Sequence, residues 1–348
     1  MRSCKYFFKR LLLLLLLILL YQQFSLLYYS AILIPVGFQK VKIANKSLEP
    51  PKEITKSYPD HKISEFYDYF PSRTSLEKAF VNGSYPIDHP NIKDLILHAS
   101  DIFNFNCKNT TETVIFVISD PKNYLLRQDI RNSYGKNNVL FKYAFENEKL
   151  ANISHCFIFS IGYRDDLVIN QQVDFESFIH RDIIRVPIYD EYRKTANKII
   201  LTLYLLDQME IPYKFVLKTD DDIFLKINKI IPLLHNLKVD DVFVGHVVYN
   251  SIPIRDSSNK WYVSKEDYPS KYYKPYLMGS CYIFRRTIID NVVKKHYTVP
   301  LIPMEDIHVS YLVTGSGYYL SDSKHFYHCN SLYQCKDSYI VDMGRNLF

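Results

Sequence analysis

The stretch "YKFVLKTDDDIF", Tyr213 to Phe224, runs an apolar segment directly into three consecutive aspartates. Acidic residues just past a strand are commonly a solvated turn, because the aspartate side chain bonds nearby backbone groups. An EF-hand loop is excluded, since the required glycine and the closing glutamate are absent. The meaning of the triplet Asp220 to Asp222 therefore depends on the elements around it.

Apolar runs and helical patterns alternate along the chain on both sides of the triplet. Four further segments are typical of buried strands: "TVIFVIS" (Thr113–Ser119), "HCFIFSIG" (His155–Gly162), "DIIRVPI" (Asp182–Ile188) and "DVFVGHVV" (Asp241–Val248). "LLRQDIRNSYG" is helical in pattern and has Gly135 as its C-cap, and "KTANKIILTLYLLDQM" predicts an amphipathic helix. The alternation predicts an α/β domain with a mostly parallel sheet covered on both faces.

The position of the aspartates indicates a ligand site. Ligands of open α/β sheets bind outside the carboxyl ends of the strands, and Asp220 to Asp222 directly follow such an end. Adjacent carboxylates without a nearby Cys or His suit Mg²⁺ or Mn²⁺. Such an ion usually binds through one or two carboxylates plus substrate phosphates, which favours a diphosphate substrate.

The N-terminus predicts a membrane anchor. No charged residue occurs from Leu11 to Gln39, which exceeds the ~20 residues of helix that cross a bilayer. Four basic residues and no acid precede this segment, which keeps residues 1–10 in the cytosol. A cleaved signal peptide is the competing interpretation, but its apolar core usually has only ~7–15 residues. We therefore predict an uncleaved signal anchor over residues 11–34.

The remainder of the chain is predicted to be lumenal. Residues 35–112 are rich in Pro, Lys, Ser, Asn and Tyr without a sustained period and indicate a stem or lead-in region, and residues 113–348 form the folded domain. Four Asn-x-Ser/Thr acceptors agree with a secretory-pathway glycoprotein: Asn45, Asn82, Asn109 and Asn152.

Composition and cysteines limit the function classes. The hydrophobic share of 47% is normal for a globular core. The formal charge of +6 falls to +2 without the basic tail, which is no nucleic-acid footprint. Five cysteines lie beyond the anchor, so an oxidising lumen permits at most two bridges there, with the pairing open.

Four sequence blocks resemble a known family, the inverting glycosyltransferases of family 31, which include β-1,3-galactosyltransferases and β-1,3-N-acetylglucosaminyltransferases. The blocks occur in the family's order: "RQDIRNSYG" (Arg127–Gly135), "KTDDDIF" (Lys218–Phe224), "YPSKYYKPYLMGSCYIF" (Tyr268–Phe284) and "MEDIHVS" (Met304–Ser310). Departures from the pattern are Ser133 and Tyr134 for Thr-Trp, Cys281 for a second glycine, and Ile307 and Ser310 for Val and Gly.

The resemblance implies a GT-A type, Rossmann-like nucleotide-sugar-binding domain. It further implies an inverting enzyme that moves a hexose, most often galactose, from a UDP-sugar to a glycan hydroxyl in β-1,3 linkage. The acceptor glycan would stand on a glycoprotein or glycolipid, and Mn²⁺ or Mg²⁺ would assist. Residues 113–348 would then be the catalytic domain of a single-pass type II Golgi membrane protein that acts in protein glycosylation.

Carried over by position, the resemblance implies roles for individual residues. Asp306 would be the general base, with Glu305 as the alternative base. Asp222, and Asp220 with it, would bind the metal. Substrate-binding residues would be Arg127, Arg131, Lys218, Asp220, Asp221 and Gly279.

Several alternatives remain open at this point. Arg127 and Arg131 are spaced i, i+4 and could form a solvated helix face. Glu305 and Asp306 also suit the first turn of a helix. The histidine that completes the family's metal site has no clear counterpart, and the candidates are Asp342, His325 and His328. A UDP-N-acetylglucosamine-dependent β-1,3-transferase and an inactive lumenal glycan-binding relative are the alternative functions.

Overall fold

The computed structural model describes residues 96, 99–102, 107, 111–135, 141–144, 150–209, 211–327 and 341–342. The predicted cytosolic tail, the signal anchor and most of the stem lie outside these residues, as do Asn45, Asn82, Asn109 and His328. Among the helices of the described part, none is long and apolar enough to cross a membrane.

The described part contains ten strands and six α-helices. The strands are β1 (Thr111–Ile118), β2 (Phe141–Ala144), β3 (Leu150–Tyr163), β4 (Ile183–Tyr189), β5 (Phe215–Asp220), β6 (Phe224–Leu225), β7 (Phe243–Val248), β8 (Tyr276–Arg285), β9 (Ser321–Asp322) and β10 (Val341–Asp342). The helices are α1 (Tyr124–Asn132), α2 (Leu167–His180), α3 (Thr195–Asp207), α4 (Ile227–Asn236), α5 (Ile289–His296) and α6 (Glu305–Gly315).

An eight-stranded sheet forms the centre of the domain and confirms the predicted α/β class. Its path is β2-β3-β1-β5-β8-β7-β9, and β4 pairs with the carboxyl-terminal part of β3. β1, β3, β4 and β5 are mutually parallel, as are β7 and β9, whereas β8 is antiparallel to both of its neighbours. The carboxyl ends of the parallel strands therefore meet at one edge of the sheet.

The antiparallel strand β8 was not predicted as a strand. Its sequence "YLMGSCYIFR" mixes polar and apolar residues and carries a glycine, which weakens the strand signal. Its pairing with β5 places Cys281 opposite Thr219, beside the start of the aspartate triplet. This register brings two of the sequence blocks side by side.

Two apolar layers cover the sheet. Helices α3, α5 and α6 pack together, and their side chains share one cluster with the strands. The second cluster, on other side chains of the same strands, takes in Ile130 of α1, Val173 of α2 and Ile230 of α4. Helix α3 was predicted to be amphipathic, but ten of the eleven residues from Ala196 to Leu206 are buried, all except Asn197, because α5 and α6 cover its outer face.

A disulfide joins the segment before β1 to the sheet. Cys107 pairs with Cys156 of β3, with a Cα to Cα distance of 5.2 Å, while Cys281 is a free, buried thiol. Ala99, Ile102 and Cys107 lie in the main core cluster although they belong to the predicted stem region. The core thus extends into the last residues of that region.

Asn152, the one predicted glycosylation acceptor within the described residues, lies in β3. In the register of the two antiparallel strands it pairs with Lys142 of β2. Glycosylation there stays a prediction.

Candidate active site

A cleft of about 950 Å³ opens at the carboxyl edge of the parallel strands. Its walls come from the loops that follow β1, β3, β4, β5 and β7, from the start of β8, and from the residues around the start of α6. This is the edge at which the sequence predicts a ligand site. All three aspartates of the triplet, Gly279, Glu305 and Asp306 line the cleft.

The three aspartates have different environments. Asp221 is buried, and its Oδ2 accepts hydrogen bonds from Ser119 Oγ at 2.7 Å and Asn123 Nδ2 at 2.9 Å. Asp220 is ion-paired with Lys218 at 2.8 Å, and 37% of its side chain is exposed. Asp222 is exposed at the cleft. Asp221 therefore anchors the turn, whereas the carboxylate of Asp222 is exposed at the cleft.

Lys218 lies beneath the cleft. Its side chain is fully buried, and its Nζ contacts Asp220 at 2.8 Å, Glu305 at 2.7 Å and the carbonyl oxygen of Gly279. Carboxylates and backbone enclose the ammonium group of Lys218. The direct contact with substrate that the sequence led us to expect therefore does not agree with its position. Lys218 is a positioning residue that ties β5, β8 and α6 together.

The two acidic residues at the start of α6 are also distinct. Glu305 Oε1 accepts from Lys218 and Glu305 Oε2 accepts from Tyr282 Oη at 2.8 Å, so both oxygens are engaged. Asp306 Oδ1 accepts the neighbouring backbone amide of Ile307 at 2.9 Å, and Asp306 forms no ion pair with the described residues. Burial raises the pKa of Asp306 to about 6. Asp306 is therefore the better placed proton acceptor of the pair.

Burial also raises the pKa of Asp220, although Lys218 opposes the shift and Glu305 adds to it. The cause is the crowding of carboxylates in a partly desolvated cleft, which disfavours their charged forms. A cation bound beside Asp220 would offset this cost. Perturbed carboxylates gathered in a cleft are typical of functional sites.

Gly279 permits the close approach of β8 to the acidic pair. A Cβ at this position would lie 2.7 Å from Glu305 Oε1 and 3.2 Å from the Cβ of Asp306. Any larger residue would displace one of the two carboxylates. The close approach of β8 at this glycine is therefore to the acidic pair at the start of α6.

Arg127 and Arg131 lie behind the cleft and do not line it. Arg127 is fully buried and forms a two-pronged pair with Glu176, at 2.9 and 2.6 Å. Arg131 contacts Glu176 at 2.6 Å and Asp182 at 2.7 Å. Neither the solvated helix face nor the direct substrate contact expected for these arginines agrees with this placement, because buried carboxylates engage both guanidinium groups.

The effect of Arg127 on the site is indirect. Its Nη1 donates to Ser119 Oγ at 2.9 Å, and Ser119 in turn donates to Asp221. Tyr134, which follows in the same block, donates its hydroxyl to the carbonyl oxygen of Ile223 at 2.6 Å. Arg127 and Tyr134, which both belong to the first sequence block, therefore support the turn that carries the aspartates.

Several cleft residues were not singled out in the sequence. These are Asp120, Asn123, Arg164, Asp190, Tyr192, Lys198, Ile252 and Trp261. Lys198 Nζ bonds Asp190 at 2.6 Å and the carbonyl oxygen of Ser119 at 2.7 Å, which ties the ends of β1 and β4 together. Their position in the sequence could have identified them, since several of them come shortly after predicted strands.

The donor set fits a hard divalent cation bound by few protein ligands. Within the described residues, no three His, Cys, Asp or Glu side chains converge as a metal site. Asp222 and Asp220 nevertheless supply carboxylates at the cleft, and such ions take the rest of their ligands from water and phosphate. Asp342 in β10 pairs with Phe224, two residues beyond Asp222, and His325 lies in a 3₁₀ turn after β9.

Comparison with known proteins decides the family. A family model described as galactosyltransferase matches residues 126–322 of the chain. This chain belongs to the galactosyltransferase family. The match spans all four sequence blocks, and the family is one of hexosyltransferases.

Named relatives of this galactosyltransferase-family chain agree with the assignment. Beta-1,3-galactosyltransferase 1 of Mus musculus and of Homo sapiens is 30% identical over 229 residues, which are 65% of this chain and 67% of the relative. Beta-1,3-galactosyltransferase 5 of Homo sapiens is 29% identical over 206 residues, which are 59% and 63% of the two chains. The chain is thus a glycosyltransferase of the β-1,3-galactosyltransferase family.

Two solved structures show a distant similarity to this family member. Mouse xyloside xylosyltransferase 1 in its apo form aligns with a TM-score of 0.35 and 8% identity, over 68% of this chain and 98% of that one. The WbbM bifunctional glycosyltransferase aligns with a TM-score of 0.33 and 10% identity, over 64% and 40%.

Proposed function

We propose that this chain is an inverting, metal-dependent transferase that moves a hexose from a UDP-sugar to a glycan hydroxyl in β-1,3 linkage. Galactose is the proposed sugar, with N-acetylglucosamine as the alternative. The observation that carries the proposal is the pair of carboxylates with separate tasks in one cleft. Asp222 is exposed for a ligand, whereas Asp306 is desolvated and has no ion-pair partner among its described contacts.

In the proposed reaction, the acceptor hydroxyl attacks the anomeric carbon of the donor from the face opposite UDP. Asp306 accepts the hydroxyl proton as the new bond forms and the bond to UDP breaks. Its raised pKa suits this task, because a base works best when its pKa lies near the working pH. Glu305 remains paired with Lys218 and Tyr282 and holds the start of α6 in place.

Asp222 and Asp220 would hold a divalent cation, Mn²⁺ or Mg²⁺, and Asp221 would keep the turn in register. When bound, such an ion neutralises the charge that grows on the leaving diphosphate. The chain's own contribution is the rigid placement of the carboxylates, through Ser119 on one side and Lys218 on the other.

We also propose a GT-A type fold and a lumenal position behind a signal anchor in the Golgi membrane. The parallel sheet with its ligand cleft at the carboxyl edge supports the first. The charge-free segment Leu11–Gln39 and its basic flank support the second. The Cys107–Cys156 disulfide adds support, since disulfides persist in oxidising compartments.

The binding of UDP to the full-length chain, measured by calorimetry with Mn²⁺ or with chelator, tests the role of the cleft. We expect Mn²⁺ to tighten UDP binding to the wild type and to have no effect on Asp222→Ala. Asp240→Ala removes an exposed aspartate outside the cleft lining and is the matched control. Equal Mn²⁺ dependence in Asp222→Ala and Asp240→Ala would disprove the assignment of the ligand aspartate.

A further inference from the structure

Trp261 is the only tryptophan of the chain, and it lines the same cleft as the aspartates. It is 48% exposed, and two more exposed side chains line the cleft with it: Tyr192 at 53% and Ile252 at 57%. These three residues are called the wall below. Exposed apolar surface gathered in a concave site marks a binding surface rather than a packing defect. The proposed roles of the acidic residues leave this wall unexplained.

The loop that carries Trp261 is firmly held. Arg255 Nη1 donates to the carbonyl oxygen of Val263 at 2.8 Å, and Arg193 Nη1 donates to that of Tyr262 at 2.8 Å. The backbone amide of Trp261 itself donates to Asn259 Oδ1 at 2.9 Å. A platform fixed in this way binds a ligand without first losing conformational entropy.

The wall and the acidic residues face a common space. Tyr192 and Trp261 line the same cleft as Asp306, Glu305 and Asp220. The wall comes from the loops after β4 and β7, whereas the aspartate triplet follows β5. The wall and the triplet therefore belong to different loops of the one cleft that Asp306 also lines.

Lys260 contacts the rings of both Trp261 and Tyr192. Its Nζ stands 4.6 Å from the ring centroid of Trp261 and 6.0 Å from that of Tyr192, and Lys260 does not line the cleft. The lysine thus makes a cation–π contact with the indole ring, while Trp261 itself lines the cleft.

We propose that Trp261, with Tyr192 and Ile252, is the platform for the terminal sugar of the acceptor glycan, a pyranose with one apolar C–H face. This inference rests on the proposed function and names the substrate class of the same site. The C–H groups of such a face match the negative face of an aromatic ring, and the hydroxyl groups at the sugar's edge are left for polar partners. One of these hydroxyl groups then meets Asp306. A peptide hydroxyl offers no comparable flat surface.

The single tryptophan gives a direct test that does not depend on turnover. Methyl β-galactoside and methyl β-N-acetylglucosaminide are titrated into the full-length protein while tryptophan emission is followed. We expect a saturable change in emission with at least one of the two glycosides. No change with either, at concentrations that saturate turnover, overturns the proposal, because the indole then lies outside the acceptor site.

Kinetics of variants provide a second test. Trp261→Ala is expected to raise the acceptor KM about tenfold, the usual order for loss of one aromatic stacking partner, while the affinity for UDP stays within about twofold. Trp261→Phe keeps an aromatic face and should give a smaller increase, which also separates stacking from misfolding. Tyr319→Ala, an 83% exposed aromatic residue in a separate groove, is the control and should leave the acceptor KM unchanged.

The outcomes separate this inference from the proposed function. An unchanged acceptor KM in Trp261→Ala, with normal UDP release, overturns the platform while the transferase assignment stands. Turnover with serine- or threonine-containing peptides but not with glycosides also overturns it. Saturable fluorescence changes with glycosides in a protein that neither binds UDP nor releases it support the platform and contradict the transferase.

Discussion

At the residue scale, the proposed role of Asp306 as the base predicts how the reaction depends on pH. Burial raises this pKa to about 6, so the carboxylate is protonated, and inactive as a base, below that pH. We therefore expect kcat/KM to fall about tenfold per unit as the pH drops below about 6, and to level off above it. Asp306→Asn should lower kcat by about 10²- to 10⁴-fold at neutral pH and abolish this acidic limb.

The control for this pH profile is Asp240→Asn, which changes an exposed aspartate outside the cleft lining and should keep the wild-type profile. A wild-type profile that stays flat well below pH 6, or an Asp306→Asn variant with normal turnover, would show that another group accepts the proton. UDP affinity, measured on the same variants, confirms that the donor site is intact.

Gly279 is the second residue on which the site depends. Gly279→Ala places a methyl group 2.7 Å from Glu305 Oε1 and should push this carboxylate away from Lys218. A shift of about 1 Å near a reacting centre costs about a hundredfold in rate, so we expect kcat to fall by that order. Gly315→Ala is the control, since its Cβ would meet only the flexible end of Lys295, at 3.3 Å. Equal activity of the two variants would remove the steric argument.

At the element scale, the ion pairs between α1 and α2 stabilise the part of the domain behind the cleft. Arg127→Met leaves Glu176 buried with only Arg131 as its partner. Breaking a buried pair typically costs about 3–5 kcal/mol, and the remaining arginine places the expected loss in the free energy of unfolding at about 3 kcal/mol. Thermal or denaturant unfolding of the full-length protein measures it.

The control for that loss is Lys294→Met, which removes an exposed ion pair with Asp290 and should hardly change the free energy of unfolding. If both variants unfold alike, the buried cluster does not stabilise the domain as argued.

The same elements show how far sequence reasoning reached. The strands β1, β4 and β5 and the position of the aspartates after β5 were predicted, because continuous apolar runs and a polar end carry that information locally. The ion pairs of Arg127 and the burial of Lys218 were not, because their partners Glu176 and Glu305 lie 49 and 87 residues away in the chain. Such contacts depend on the sheet order, which no local pattern contains.

At the scale of the whole molecule, the Cys107–Cys156 disulfide ties the residues before β1 to the sheet. The bridge spans 49 residues, and closing a loop of this length stabilises the folded chain by about 4 kcal/mol in the chain-entropy account. We expect a reducing agent to lower the melting temperature of the wild-type protein. The double variant Cys107→Ser/Cys156→Ser should melt below the wild type in the absence of reductant. A wild-type melting temperature that does not respond to full reduction would contradict this role.

The central claim is that the cleft transfers a hexose from a UDP-sugar with the help of a divalent cation. The most direct test measures UDP release by the full-length protein with UDP-galactose, UDP-N-acetylglucosamine and UDP-glucose, each with a panel of glycan acceptors and with Mn²⁺ or chelator. The account predicts release with one donor, UDP-galactose, that depends on acceptor and metal and is lost in Asp306→Asn. A cooperatively folded protein that releases no UDP from any donor with any acceptor would contradict it.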